Sequence, residues 1–158
     1  MMMMGRMNLR HHQLRHLGLS HNALNSKTVE ALLKTVEALL KPLKTSTSLT
    51  SLDLSYNEMD HSKESNAMLR DFMRCNSGLR HFDLCCNKLN KETFRELHLG
   101  LLENHSMLLL PLAGNPSADL SPTIHLIQVK LRENIIMAII IIMTITIVTI
   151  IIIIIIII

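Results

Sequence analysis

The sequence predicts an α/β repeat fold, short strands alternating with helices, that runs into an apolar tail. Three observations predict it. A cassette of leucines closed by an asparagine recurs four times, and the stretches between copies carry apolar residues at helical spacing. The final segment, Ile135 to Ile158, is mostly Ile and has no charge.

The cassettes are Leu14-Arg-His-Leu17-Gly-Leu19-Ser-His-Asn22, Leu49-Thr-Ser-Leu52-Asp-Leu54-Ser-Tyr-Asn57, Leu79-Arg-His-Phe82-Asp-Leu84-Cys-Cys-Asn87 and Met107-Leu-Leu-Leu110-Pro-Leu112-Ala-Gly-Asn115. Three of them continue into Leu24, Met59 or Leu89 two residues after the asparagine. Alternation such as Leu17-Gly18-Leu19 or Leu52-Asp53-Leu54 marks a short strand with one buried face. Past the strand the chain turns inward and leaves backbone groups short of partners. A side-chain amide both donates and accepts, so Asn22, Asn57, Asn87 and Asn115 are expected to stack as a ladder that satisfies them.

The interval from Asn22 to Asn57 is longer than those from Asn57 to Asn87 and from Asn87 to Asn115. The excess has a visible cause: Thr28-Val-Glu-Ala-Leu-Leu-Lys34 is repeated verbatim as Thr35-Val-Glu-Ala-Leu-Leu-Lys41. Such a heptad makes about two helical turns and shifts the phase by only about 20°. The lengthened helix therefore keeps one apolar stripe, Val29, Leu32, Leu33, Val36, Leu39, Leu40 and Leu43. Asn25 or Ser26 is expected to cap this helix, with Pro42 near its end; Asp60 is expected to cap a second helix carrying Met68, Leu69 and Phe72. Asn90 is expected to cap a third, with Phe94, Leu97, Leu101 and Leu102 on one side. After Asn115 comes Pro116 and no long helix of that kind is expected at once, so the repeats are expected to end near residue 117.

A repeat of this length, with one strand and one full helix, resembles the ribonuclease-inhibitor-like leucine-rich repeats, the type also found in NLR immune sensors. The resemblance covers about residues 14–117. It implies a short leucine-rich-repeat solenoid, with parallel strands on the concave face and helices on the convex face, and a protein-binding role. NLR sensors also carry a nucleotide-binding module, but its G-x-x-x-x-G-K-[ST] loop is absent from this sequence, so no nucleotide cofactor is expected. The expected organisation is a basic, Met-rich segment 1–13, repeats 14–117, a linker helix 118–134 and the Ile-rich low-complexity segment 135–158.

Without that last segment the apolar share falls from 48% to roughly 41%, ordinary for a globular domain. Aromatics make up only 3%, so the core must be built from Leu, Val and Met. The net charge is +3, and the first acidic residue is Glu30. Arg6, Arg10, Arg15 and Lys27, with four His among them, are too sparse and too poor in aromatics for a nucleic-acid arm. Cys75, Cys85 and Cys86 make no disulfide framework, and the first residues have no apolar signal-peptide core. A cytoplasmic location with reduced thiols is the expectation. The sequon Asn104-His105-Ser106 matters only in a chain that enters the secretory pathway.

The tail supports two readings. Ser121-Pro122 opens a helix that runs directly into the Ile block, and a helix over 135–158 spans about 36 Å, enough for a hydrocarbon core of about 30 Å. The segment is then a membrane anchor. Alternatively, its Met, Thr and Val interruptions are each one base from an Ile codon, which reads as a translated microsatellite in a truncated gene product without independent function.

The outward strand positions supply the candidate partner-binding residues on the concave face: His16, Ser51, Asp53, Tyr56, His81 and Asp83. Neighbouring strands about 4.8 Å apart place His16, Ser51 and His81 in one row and Asp53 and Asp83 in another. Such a surface suits a basic or polar protein partner of unknown identity. His81, Asp83 and Cys85 alternate on one strand, but steps of about 6.6 Å are too long for one ion, so no metal site is expected. No G-x-S-x-G, H-E-x-x-H or C-x-x-C pattern occurs, so an enzyme is not expected either.

Overall fold

The computed structural model describes residues 14–40, 49–116, 118 and 122–157. In chain order they form β1 (His16–Gly18), α1 (Ser26–Leu40), β2 (Ser51–Asp53), α2 (Lys63–Cys75), β3 (His81–Asp83), α3 (Lys91–Leu102) and α4 (Pro122–Ile157). Each strand occupies the alternating centre of a cassette. Leu17, Leu52 and Phe82 stand in register in one parallel sheet of order β1-β2-β3. Parallel neighbours require a crossover, and α1 and α2 supply it. The described residues thus form a mixed α/β fold with a small parallel three-stranded sheet and four helices.

The core lies between the sheet and the helices. Leu52, Leu54, Met59, Leu79, Phe82, Leu84, Leu89 and Met107 come from the cassettes and are fully buried. Val29, Leu69, Met73, Phe94, Leu97 and Leu101 come from the helices and meet them. Phe72 packs edge-on against Phe82 with ring centroids 5.5 Å apart. In the first cassette Leu17, Leu19 and Leu24 are only partly buried. The duplicated heptad continues α1 to Leu40. The side chains of Val36, Leu39 and Leu40, with Pro42 and Leu43, lie outside the described residues.

The caps differ from expectation at one helix. Asn25 Oδ1 accepts from Thr28 N, and Asn90 closes a reciprocal box with Thr93, both at expected positions. For α2 the cap is Ser62, whose hydroxyl accepts from Ser65 N, and not Asp60. The Asp60 carboxylate acts one step earlier: its Oδ1 accepts from Ser62 N and from the hydroxyls of Ser26 and Ser65, tying the start of α1 to the start of α2. These bonds hold the Asp60 carboxyl below the usual carboxylate range, the backbone N–H of Ser62 contributing most.

Two further differences concern the fourth cassette. Its 109–113 segment runs beside β3: Phe82, Leu84 and Cys86 donate to the carbonyls of Leu109, Pro111 and Ala113. Only one bridge, His81 to Leu109, forms, because Pro111 has no N–H to return to the ladder. The packing also continues past the expected end near residue 117. Pro122 opens α4, whose Ile127 and Leu131 are buried in the core against the fourth cassette and α3. The expected linker helix 118–134 is therefore part of the packed body, because the fourth cassette needs a helix behind it as the others do. From Ile135 onward α4 leaves the body, and its Ile side chains are about half exposed.

Candidate partner-binding face

The asparagines shape the turn that follows each strand. Asn57 Oδ1 accepts from the backbone N–H of Asn22 and Leu24, and its Nδ2 donates to Leu19 O and Leu54 O. Asn115 Oδ1 accepts likewise from Asn87 N and Leu89 N, while its Nδ2 donates to Leu84 O and Leu112 O. Asn87 Oδ1 accepts from Met59 N, and its Nδ2 donates to Leu54 O and Leu84 O. Each of these three side chains serves its own turn and the turn before it. Asn22 is different. It is exposed, and among the described residues its side chain donates only to Ser20 O, two residues away.

The residue before each asparagine lies in the left-handed region: His21 (φ 60°), Tyr56 (φ 52°), Cys86 (φ 52°) and Gly114 (φ 71°). That backbone turns the chain sharply at the strand end and brings the four residues into one row. Within it His21 and Tyr56 stack, with ring centroids 4.3 Å apart and planes within 14°. Tyr56 is 53% exposed, so the stacked pair forms a raised aromatic ledge at the sheet margin.

On the sheet face the register sets His16, Ser51 and His81 side by side, and Gly18, Asp53 and Asp83 beside them. Ser51 Oγ and His81 Nδ1 are 3.4 Å apart, and the buried Nε2 of His81 has no partner among the described residues. The two carboxylates are not simply displayed. Asp53 Oδ1 accepts from Ser55 N at 2.8 Å and Asp83 Oδ1 from Cys85 N at 2.9 Å, so each closes the turn after its own strand. Cys85 is half-buried, and that burial, with the hydrogen bond to Asp83, pushes its thiol up to about 11. It stays protonated at neutral pH and is a poor nucleophile. Toward the fourth cassette the face becomes apolar, with Leu109 51% exposed.

All six candidate residues share one surface: His16, Ser51, Asp53, His81 and Asp83 on the sheet, Tyr56 at its edge. Sequence reading missed His21, which stacks on Tyr56, and the structural use of Asp53 and Asp83. Asp at cassette positions followed two residues later by a turn was the available signal. Asn104, the sequon residue, is buried and donates to Met73 O and Asn76 O, so it is not presented to any enzyme acting at the surface. No group of three or more His, Cys, Asp or Glu side chains placed to hold a metal occurs among the described residues.

No protein-family model matches the chain, and no curated protein does. Among solved structures it is similar to the tropomodulin C-terminal domain of Caenorhabditis elegans, a leucine-rich-repeat-like fold, with a TM-score of 0.56 and 17% identity. The match covers 77% of this chain and 66% of that one, just under two thirds. At this identity the likeness is one of fold.

Proposed function

We propose that the chain is a short leucine-rich-repeat solenoid that binds a protein partner through the outward face of its sheet. The observation that carries this reading is the side-by-side placement of Asp53 and Asp83 beside the exposed Tyr56–His21 stack. Two carboxylates on adjacent strands repel each other, and a cationic side chain laid between them would relieve that repulsion. The aromatic ledge offers a flat contact of the kind that anchors interfaces. The fitting partner is a basic, polar segment of another protein. The likeness to the tropomodulin domain supports the fold this reading needs and names no partner.

An arrayed-peptide screen with the full chain tests it. Lys- and Arg-bearing peptides should be enriched over neutral ones. The D53N/D83N variant, which keeps the turn-closing oxygen and removes the charge, should lose that enrichment with unchanged circular dichroism. Capture indifferent to peptide charge rejects the reading.

A second reading concerns place. The most apolar 18-residue window of the helix Pro122–Ile156 has mean hydropathy 3.5, and none of that window is buried. From Ile135 to Ile156 the helix spans about 33 Å, the thickness of a hydrocarbon core. At about −0.5 kcal/mol per Ile, the 17 Ile of residues 135–158 favour insertion by about 8 kcal/mol. We read the segment as an anchor that holds the repeats at the cytoplasmic surface of a membrane. Extraction of membranes with alkaline carbonate checks it; a chain that emerges wholly in the supernatant is not anchored.

A further inference from the structure

α4 is one unbroken helix. Its Asn134 is buried and locked, donating through Nδ2 to Asn104 O at 3.0 Å and Met107 O at 2.9 Å. The next residue, Ile135, begins the exposed apolar stretch. No loop, Gly or Pro separates the two. A bilayer around that stretch would therefore begin at the level of Asn134, and whatever lies at that level of the body would meet its surface.

That level is the rim where helices end and strands begin. It carries four exposed arginines: Arg15 before β1, Arg74 at the end of α2, Arg80 before β3 and Arg132 in α4. Against them stand Glu103 and Glu133, with Asp71 one turn back in α2 and 3.4 Å from Arg74. Arg80 is held in place by donating from Nη1 to Ser106 O. The opposite rim, where strands end and helices begin, is balanced: Lys27, Lys63, Lys88 and Lys91 against Glu58, Asp60, Glu64 and Glu92. The excess cation sits on the side that the anchor would turn to the membrane, and it is arginine, whose planar fork fits phosphate oxygens.

We infer that this arginine rim is a docking surface for anionic phospholipid headgroups, an inference that rests on the anchored reading above. The junction at Asn134 holds the rim at the level of the headgroups, and the tilt of the inserted helix sets how closely the rim meets them. Each arginine near an anionic surface contributes attraction of about 1 kcal/mol, roughly fivefold in affinity, within a Debye length.

The rim carries its own reporter site, because Cys75 is exposed beside Arg74. The full chain, with C85A and C86N so that only Cys75 takes a fluorophore, is reconstituted into vesicles of phosphatidylcholine alone or with about one third phosphatidylserine. Energy transfer from Cys75 to a headgroup-labelled lipid is then measured. Transfer should be higher in the anionic vesicles and fall to the neutral level in R15Q/R80Q/R132Q. In R15Q/R132Q, which leaves the Arg80–Ser106 bond intact, it should fall part of the way. Equal transfer in both vesicles, or variants that behave as the parent, overturns the rim while leaving the anchor standing. A chain that carbonate strips from both vesicle types removes the anchor, and the rim with it.

Discussion

At the scale of single residues, the four positions before the asparagines show how backbone demands hide in a sequence. All four are left-handed, yet only Gly114 announces it; His21, Tyr56 and Cys86 bear the strain of a side chain there. At Gly114 a Cβ would also lie 2.5 Å from Cys86 Sγ. Gly114→Ala should therefore cost about 2 kcal/mol in chemical denaturation, strain and clash together. In a Cys86→Gly background part of that cost should vanish, leaving the strain alone. A fully additive double mutant would show that the two residues do not meet. Cys85 supplies a second prediction. Its thiol titrates at about 11 when folded, above its ordinary 9.0, so folding favours the protonated form. That contribution to stability is complete below pH 9 and lost as pH rises toward 11. Denaturation midpoints should fall over that window and flatten in Cys85→Ser.

At the scale of elements, the asparagine ladder was legible in the sequence as a pattern, but not in its weights. Four identical residues in four copies suggest equal roles, whereas among the described residues the Asn57 side chain makes five bonds and the Asn22 side chain one. Asn57→Ala should cost at least about 3 kcal/mol by orphaning buried groups, and Asn22→Ala less than about 1. Comparable losses in urea titration would contradict the assignment. A second asparagine row went unread. Asn76 and Asn104 follow α2 and α3 while Asn134 lies within α4, and the three are separated by the same two intervals as Asn57, Asn87 and Asn115, taken in reverse order. The first two accept from the amides two and three places on. Asparagine is common at such ends, and only the match to the cassette spacing marks these three. Helix packing was likewise hidden at Gly100. A Cβ there would meet the Arg70 carbonyl and stand 2.9 Å from Met73 Cβ, so α3 approaches α2 closely. Ala in place of a helical Gly ordinarily stabilises by about 1 kcal/mol. Here the sign should reverse, and a higher melting temperature for Gly100→Ala would show that the helices can separate.

At the scale of the whole molecule, the repeats and their order were readable because leucine alternation and helical spacing are local properties of sequence. Their end was not, because it depends on what packs behind the fourth cassette. Pro116 interrupts the pattern locally, and the helix that restores it starts only at Pro122. Ile127 is 1% exposed and Leu131 8%, whereas Ile135 is 39% and Ile136 55%, which places the edge of the body at Asn134. Two truncations turn that edge into a measurement. A chain ending at residue 134 should melt as cooperatively as the full chain in detergent and remain monodisperse in water, since none of the described residues it loses from 135 to 156 is buried. A chain ending at residue 121 loses Ile127 and Leu131, each worth about 2 kcal/mol of apolar burial, and uncovers Leu110 and Leu112. Against a total stability of about 5–15 kcal/mol for a domain, that loss is large enough to lower the melting temperature by about 10 °C or more. Equal melting of the two truncated chains would mean that the first turns of α4 only rest on the body, and that the repeats end where the asparagines do.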